Sequence, residues 1–365
     1  MRLHVVKRDS CSLWKMLLLY VGAVAAALLL GAVLLLALGV NPMEYYSKMF
    51  TMGMVGNKIA YKAFENYLKV FVPLVLTAVG LSLAFKMRFW NIGGEGQFIV
   101  GAIVAAVVAF KAGAVLPGAV TLLLMCLAAM AAAGAYGAIA AALKVRFGTN
   151  ETLLTLMLNY IALYALIFLG ETKAEWNFLL NPESARPTFG SFASLASFPG
   201  ISIGKFNLNV CVILTFVIGV LVFIYLKYTK HGYEIAVVGD SENTARYAGI
   251  RVPRIYVRTM ALSGALCGFA GFLAVSAVSH TLSTSTAGGR GFTAIIVAWL
   301  AKMNPFVMIL ISALLSFLDK GAVQIASDFG LNEYVSKIIS GVILFFILGS
   351  EFFINYQVKT GAKHK

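Results

Sequence analysis

The chain has 365 residues, of which 60% are hydrophobic and only 12% are charged, and its formal net charge is +14. A water-soluble domain contains about 25% charged residues and is less than half apolar. The composition therefore excludes an ordinary soluble enzyme, a disordered protein and a small disulfide-rich domain. It predicts a protein whose main solvent is lipid.

Ten apolar segments approach the length of about 20 residues that a helix needs to cross a bilayer. The first is too long for the apolar part of a signal peptide and is interpreted as an uncleaved helix. The eighth and ninth are short, so we expect them to be tilted, broken or partly re-entrant. In chain order the segments are Met16–Val40, Tyr67–Phe85, Gln97–Ala112, Gly118–Leu143, Thr152–Gly170, Asn209–Leu226, Thr259–Ser279, Gly291–Ala301, Pro305–Leu318 and Tyr334–Ser350.

These segments predict an all-α polytopic membrane protein with about ten transmembrane helices, built as a single domain over residues 1–365. Basic residues accumulate on the cytoplasmic side of such proteins. With the N-terminus inside, 18 of the 29 Lys and Arg residues lie on the inner side, which carries about +11 against about +3 outside. The basic surplus therefore indicates topology rather than nucleic-acid binding. Both terminal tails, residues 1–15 and 351–365, are predicted to be cytoplasmic.

Two connections between the apolar segments are long. Residues 171–208 are predicted to be an extracytoplasmic loop, and residues 228–258 a polar cytoplasmic loop.

The four cysteines form no CxxC pair and have no metal-ligand spacing to histidine. Cys11, Cys126, Cys211 and Cys267 are therefore interpreted as structural thiols, the usual role of free cysteine in apolar surroundings. No metal site is expected.

Two similar glycine-rich turns precede the third and the eighth apolar segments. They are Gly93-Gly94-Glu95-Gly96-Gln97-Phe98 and Gly288-Gly289-Arg290-Gly291-Phe292. Each follows the second helix of a group of five, and one group starts inside while the other starts outside. This arrangement predicts a five-plus-five inverted-topology repeat, a plan that many transporters share. The alternative is that glycine-rich turns recur by chance in a polytopic protein.

Polar and ionisable groups lie beside these turns, where non-helical backbone needs protein or water around it. Glu95 and Arg290 are candidates for a translocation path, and the alternative for Glu95 is that it caps the third helix. Asn91, Gln97 and Asn159 either line such a path or bond between helices, and for Asn159 we favour the bond between helices. The candidate path residues are Asn91, Gly93, Gly94, Glu95, Gly96, Gln97, Asn159 and Arg290.

The segment Phe89–Gln97, FWNIGGEGQ, resembles the FNIGxEGQ signature of ABC-importer permeases for nucleosides and simple sugars. Three further stretches, Thr149–Ala162, Ala236–Ile250 and Gly291–Pro305, resemble other regions of the same family. The sequence departs from the family at Trp90, where Phe is usual, and at Asn150, where a small apolar residue is usual. The resemblance extends over about residues 70–350, which is most of the chain.

The resemblance implies a transmembrane permease subunit of an ATP-binding cassette importer in the bacterial cytoplasmic membrane. Its implied partners are an ABC ATPase, an extracytoplasmic substrate-binding lipoprotein and a second permease, similar or identical. A nucleoside is the implied substrate, while a simple sugar, a riboflavin-like vitamin and a branched-chain amino acid stay open. The chain lacks a GxxxxGK[ST] motif, so ATP is expected on the partner, and no catalytic residue or cofactor is expected here.

The resemblance also implies that the segment after residue 239 couples to the ATPase. A short helix is predicted over Ser241–Ala248, because Asp240 or Ser241 can cap its start and Gly249 suits its end. Arg and Tyr are enriched at interface hot spots. The alternative is a solvated loop whose basic residues only set topology. The candidate coupling residues are Asp240, Ser241, Glu242, Arg246, Tyr247 and Gly249.

Two other functions fit the sequence less well. An ion-coupled transporter usually carries acidic or histidine relays inside its spans, whereas Glu95 is the only candidate acid here. An intramembrane enzyme would need a motif such as HExxH or GxSxG, and neither occurs within the spans.

Overall fold

A computed structural model describes residues 2–7, 12–51, 54, 59–113, 115–192 and 196–361. Within these residues the chain forms thirteen α-helices, one π-helical segment and four short strands. Eight of the helices are long and apolar enough to cross a membrane. The expected all-α polytopic fold is confirmed. Cys11 lies outside the described residues, and the other three cysteines are free, with Cys126 half-buried and the other two buried.

The first six helices are α1 (Leu13–Ala37), α2 (Pro42–Thr51), α3 (Ala60–Lys86), α4 (Gly94–Ala112), α5 (Gly118–Phe147) and α6 (Glu151–Glu171). They are followed by α7 (Cys211–Tyr228), α8 (Lys230–Asp240), α9 (Glu242–Tyr247), α10 (Val252–Leu273), α11 (Arg290–Leu300), α12 (Pro305–Asp328) and α13 (Glu333–Asn355). The π-helical segment Ala274–Ser279 continues α10. The strands are β1 (Arg2–Lys7), β2 (Gly200–Ile203), β3 (Phe206–Asn209) and β4 (Tyr356–Gly361).

Each of the ten predicted apolar segments corresponds to one helix: α1, α3, α4, α5, α6, α7, α10, α11, α12 and α13. The predicted end of the ninth segment at Leu318 is wrong, because α12 continues through Asp319 and Lys320 to Asp328. Charged side chains end a hydropathy window but leave the backbone hydrogen bonds of a helix intact. For the same reason α10 begins at Val252, before the predicted start of the seventh segment.

The stretch predicted as a polar loop over residues 228–258 is largely helical. It contains α8, α9 and the first turns of α10. Thr229 starts α8, since its side-chain oxygen accepts a hydrogen bond from the Gly232 N–H. Residues 41–66, which separate the first two predicted spans, likewise hold α2 and the start of α3.

The loop over residues 171–208 carries the β2–β3 hairpin, in which Gly200 lies opposite Asn209. A GxSxG sequence occurs here over Gly200–Gly204, but it forms a strand and a turn rather than the strand-to-helix elbow of hydrolases. The same loop donates to backbone carbonyls around the π-helical end of α10, from the Phe198 N–H to Ser276 and from the Asn209 side chain to Ala277. The loop is thus fixed to the transmembrane helices.

The two ends of the described chain pair with each other. Strand β1 runs antiparallel to β4, with Arg2 opposite Gly361 and Lys7 opposite Tyr356. The position of the two termini relative to the membrane stays a prediction.

Contacts divide the chain into two compact units, Met1–Phe64 with Phe317–Lys365, and Glu65–Ser316. All the candidate path and coupling residues lie in the second of these units, which is called the larger unit below. Neither the single-domain reading nor the inverted repeat is tested by this division, and both stay predictions.

Small residues hold α4, α5 and α10 together at the centre of the larger unit. A Cβ added to Gly101 of α4 would overlap the backbone of Gly268 of α10. A Cβ added to Gly268 would lie 2.6 Å from the Ala129 carbonyl oxygen of α5. Helices in lipid associate through such close backbone approach, because burying apolar side chains gains nothing over lipid contact.

Replacing Gly268 by Ala should therefore lower the stability of the permease fold by about 1–3 kcal/mol, because the added methyl group overpacks three helices. In α13 a Cβ on Gly341 meets no atom within 4 Å. Gly341→Ala is the matched control and should be neutral or stabilising by up to about 1 kcal/mol. The measurement is the unfolding temperature of each variant in detergent, and equal temperatures for the two variants would contradict this packing.

Candidate functional site

The helical backbone is interrupted between α3 and α4, from Met87 to Gly93. Asn91, fully buried at the centre of this break, accepts a hydrogen bond from the Gly93 N–H (3.0 Å). Its side-chain amide group also bonds to Gln97 (3.2 Å) and to Ser263 of α10 (3.3 Å). Asn91 thus replaces helical hydrogen bonds with side-chain ones and ties the break to two neighbouring helices. The non-helical segment Met87–Gly93 is called the α3–α4 break below.

Helix α6 supplies partners for the backbone of the α3–α4 break. The Thr155 hydroxyl accepts from the Ile92 N–H (3.1 Å). The Asn159 amide group donates to the Ile92 carbonyl oxygen (2.7 Å), and its oxygen accepts from the Gly96 N–H (2.7 Å). Non-helical backbone at membrane depth persists only when protein or water satisfies it, and α6 does so here. A Cβ on Gly96 would lie 3.0 Å from the Asn159 Cα, so this approach requires glycine.

Glu95 joins the two glycine-rich turns. Its carboxylate accepts hydrogen bonds from the Gly289 N–H (2.8 Å) and from the Gly291 N–H (2.5 Å), at the start of α11. A Cβ on Gly291 would lie 2.6 Å from the Glu95 Cα, so the two turns are in backbone contact. Glu95 lies in the first turn of α4, yet its hydrogen bonds cap α11. Sequence reasoning considered only a cap on α4 itself.

The residue Glu95 is 8% exposed. Its carboxylate faces the N-termini of α4 and α11. Each N-terminus carries a partial positive charge and unpaired N–H groups. Arg290 also acts on Glu95 electrostatically, while its guanidinium group donates to the Thr286 carbonyl oxygen (2.6 Å). The carboxylate therefore lies where three sources of positive potential converge. We call this contact between α4 and α11 the Glu95 joint.

The Glu95 joint is buried beside a short helix. Helix α11 has 11 residues and is about 16 Å long, roughly half the thickness of the hydrocarbon core. Trp299, near its C-terminal end, stacks on Trp90 with ring centroids 5.1 Å apart. Since Trp90 lies at one end of α11 and Glu95 at the other, the α3–α4 break runs alongside this half-length helix. The eighth segment thus forms a short helix, and that it is tilted, broken or re-entrant stays a prediction.

Helix α9 (Glu242–Tyr247) is the short helix predicted over Ser241–Ala248. The Ser241 hydroxyl caps it by accepting from the Thr244 N–H (3.2 Å), and Asp240 is the last residue of α8. Gly249 has φ +75°, a left-handed conformation that ends the helix at little cost for glycine. Glu242 occupies the first turn, where the helix dipole stabilises an acid.

The outer face of α9 is open. Tyr247 is 94% exposed, and the Arg246 side chain is 66% exposed. Arg246 pairs with Glu242 at 3.5 Å, a surface ion pair that contributes little stability. A shallow groove beside α9 is lined by Arg246, Arg251 and Arg254. An exposed aromatic ring next to a basic groove is suited to a partner with acidic side chains.

Sequence reasoning missed Thr155, Ser263 and the direct contact between the two glycine turns. Thr155 and Ser263 are polar residues inside apolar segments, a signal that was available in the sequence. The contact between Glu95 and residues 289 and 291 joins positions almost two hundred residues apart, and no local pattern indicates it.

Comparisons with known proteins agree with this architecture. A family described as "Branched-chain amino acid transport system / permease component" matches residues 63–348. The chain belongs to this permease family. The glucose ABC transporter permease protein TsgB13 of Haloferax volcanii is 30% identical over 344 residues, which cover 92% of this chain and 88% of the relative.

Two further relatives cover most of this permease. The nucleoside ABC transporter permease protein NupB of Lactococcus lactis is 28% identical over 89% of this chain and 88% of its own. The guanosine ABC transporter permease protein NupP of Bacillus subtilis is 28% identical over 90% of this chain and 92% of its own.

The permease is thus a multi-pass protein of the bacterial cytoplasmic membrane, and its role is transport rather than catalysis. Membership of the ABC permease family implies that it works with an ATPase and a substrate-binding protein.

Replacing Glu95 by Gln should lower the stability of the permease by about 1–3 kcal/mol, because one amide oxygen cannot replace two carboxylate oxygens and a buried N–H loses its acceptor. The control is Glu44→Gln, since Glu44 forms an exposed ion pair with Lys48 at 3.1 Å. That change should alter stability by less than about 0.5 kcal/mol. Unfolding temperatures in detergent measure both effects, and a Glu95→Gln variant as stable as the control would contradict the joint.

Proposed function

We propose that this permease translocates a nucleoside or a related small polar solute into the cell. An extracytoplasmic binding protein delivers the solute, and a partner ATPase binds and hydrolyses the ATP, so the chain itself needs no cofactor. The observation that carries the proposal is the match of near full-length relatives, two of which are named as nucleoside or guanosine permeases. The FWNIGGEGQ segment that resembles nucleoside-type permeases lies at the Glu95 joint.

The ATPase is proposed to dock on α9 and on the arginine-lined groove beside it. Asp240, Ser241 and Gly249 shape this helix, while Glu242, Arg246 and Tyr247 are its contact residues. The exposure of Tyr247 supports this assignment, because a large aromatic ring in water gains free energy when a partner covers it. This assignment places α9 on the cytoplasmic side, in agreement with the positive-inside distribution.

The translocation path is proposed to run past the Glu95 joint and the exposed face of α11, where a second permease, similar or identical, completes it. Within the single chain Asn91, Gln97 and Asn159 are buried against protein and leave no room for a solute. On the other face of α11, Phe292 and Trp299 are 45% and 44% exposed. The end of a half-length helix is not stable against lipid, so protein or a water-filled path must cover this face.

Other solutes are the main alternatives to a nucleoside. One relative is named as a glucose permease. Another, 25% identical over 64% of this chain, is named as a probable riboflavin import permease of Treponema pallidum. Binding of guanosine, glucose and riboflavin to the cognate substrate-binding protein would distinguish them, and binding of glucose alone would exclude the nucleoside assignment.

Uptake should depend on ATP rather than on an ion gradient, because no relay of ionisable groups connects Glu95 to both membrane faces in the described residues. Proteoliposomes that hold the permease, its ATPase and external binding protein should accumulate guanosine when ATP is inside. Collapse of the proton and sodium gradients should leave the uptake rate within about twofold of its original value, whereas removal of ATP should abolish uptake. Gradient-dependent uptake without ATP would establish the ion-coupled alternative.

Arg246→Glu should weaken association with the ATPase by at least about tenfold and stop uptake, because charge reversal repels an acidic partner surface. Arg246→Gln should have a smaller effect in the same direction. The matched control is Arg186→Glu, an exposed arginine in the 171–208 loop, which should leave ATPase association unchanged. Co-purification and uptake are measured, and substrate capture by the binding protein should persist in all three variants. Normal uptake by Arg246→Glu would remove α9 as the docking site.

A further inference from the structure

Helix α9 is packed into a buried cluster that reaches the α3–α4 break. Its one inward residue, Ala245, is fully buried with Ile235 and Val238 of α8. The same cluster contains Phe89 of the break and Tyr256 of α10. A Cβ on Gly239 of α8 would clash with the backbone at the end of α3, so α8 is in direct backbone contact there. A displacement of α9 therefore meets packed protein rather than a flexible loop.

Tyr256 contacts both ends of this cluster. Its hydroxyl group donates a hydrogen bond to the Glu242 carboxylate in the first turn of α9. Its ring packs on the Phe89 ring with centroids 5.6 Å apart. Tyr256 is 7% exposed, so its ring contact is shielded from water, whereas its partner Glu242 has a side chain that is 44% exposed. One side chain thus links the exposed helix to the first aromatic residue of the break.

Lys144 of α5 holds the two rings in place. Its ammonium group lies 4.9 Å from the Phe89 ring centroid and 5.0 Å from that of Tyr256, within the range of cation–π attraction. It also forms an ion pair with Glu151 at the start of α6 (2.9 Å). The rings are thereby fixed to α5 and to α6, and α6 is the helix whose Asn159 satisfies the break.

Phe89 connects this cluster to the Glu95 joint along the backbone. Its N–H group donates to the Ala84 carbonyl oxygen at the end of α3, and its carbonyl oxygen accepts from the Asn91 N–H. Asn91 in turn bonds to Gly93, which precedes α4. A series of links therefore leads from α9 to Glu95. Each link is a hydrogen bond, a contact between rings or a short backbone segment fixed by hydrogen bonds.

We propose that Tyr256 and Phe89 are positioning residues that transmit movement of α9 to the α3–α4 break and hence to the Glu95 joint. The inference rests on the proposed function, because the movement comes from an ATPase docked on α9. The hydrogen bond of buried Tyr256 links the docking helix, whose contact residues are Glu242, Arg246 and Tyr247, to the cluster below it. Coupling between α9 and the α3–α4 break is measured by labelling of the break.

The test reports on the break directly and needs no identified substrate. Trp90 is 45% exposed, so a Trp90→Cys variant supplies a thiol that reacts with a water-soluble maleimide. The labelling rate of this thiol is measured in the complete complex, first without nucleotide and then after trapping with ATP and vanadate. The same chain without Trp90→Cys gives the background labelling of the other cysteines. Trapping should change the rate several-fold in the otherwise native chain.

Tyr256→Phe keeps the ring and removes only the hydroxyl group. It should reduce the nucleotide-dependent change in labelling by at least about threefold, while trapped nucleotide and ATPase association stay at the native level. The matched control is Tyr225→Phe, because Tyr225 packs against the same cluster and its hydroxyl has no hydrogen-bond partner among the described residues. This control should leave the labelling change intact. An undiminished change in Tyr256→Phe would overturn the inference.

A double-mutant cycle tests the hydrogen bond between Tyr256 and Glu242 itself. If the hydrogen bond carries the coupling, Glu242→Gln and Tyr256→Phe affect the labelling change non-additively. Additive effects would overturn the inference. The proposed function and the role of Tyr256 are tested by different results. Absence of ATPase association or of ATP-driven uptake in the native chain would overturn the proposed function. A native complex that works, with normal labelling changes in Tyr256→Phe, overturns only the role of Tyr256.

Discussion

The larger unit depends on one buried carboxylate that is shared by two helix N-termini. A helix that begins inside the hydrocarbon layer leaves N–H groups without water to bind them, and each such group costs free energy. Glu95 accepts two of these N–H groups from α11 while it stands in the first turn of α4. The N-terminal ends of both helices present positive potential to this carboxylate. One acidic residue thus allows two interrupted helices to meet in the interior.

Glycine makes this contact geometrically available. Side chains at residues 96 and 291 would push the break away from α6 and the two turns away from each other. The same principle extends through Gly101 and Gly268, which bring α4, α5 and α10 to backbone contact. In lipid, where apolar burial gives little driving force, close packing and satisfied polar groups determine the arrangement. The α3–α4 break is consequently held to α6 and α10 by Thr155, Asn159 and Ser263.

A transport protein of this class has to join an energy source in water to a path within the membrane. Here the exposed helix α9 packs on a buried cluster that also contains Phe89 of the α3–α4 break. The buried cluster below α9 gives a mechanical reason for this arrangement, because tightly packed interiors shift between discrete arrangements instead of deforming gradually. Family membership establishes transport as the role of the chain. The identity of the solute and the docking geometry of the partners are proposals.

The sequence by itself determined the membrane class, the ten apolar helices and the short helix capped by Ser241, because hydropathy, helix capping and glycine act over neighbouring residues. It also indicated Glu95 and Asn159 as unusual polar groups. Their partners were decided only by the tertiary structure. Glu95 caps α11 rather than α4, Asn159 satisfies the α3–α4 break, and Tyr256 joins Glu242 to Phe89. A side chain in lipid must find its hydrogen-bond partner within protein, and which distant backbone comes near it depends on how all the helices pack.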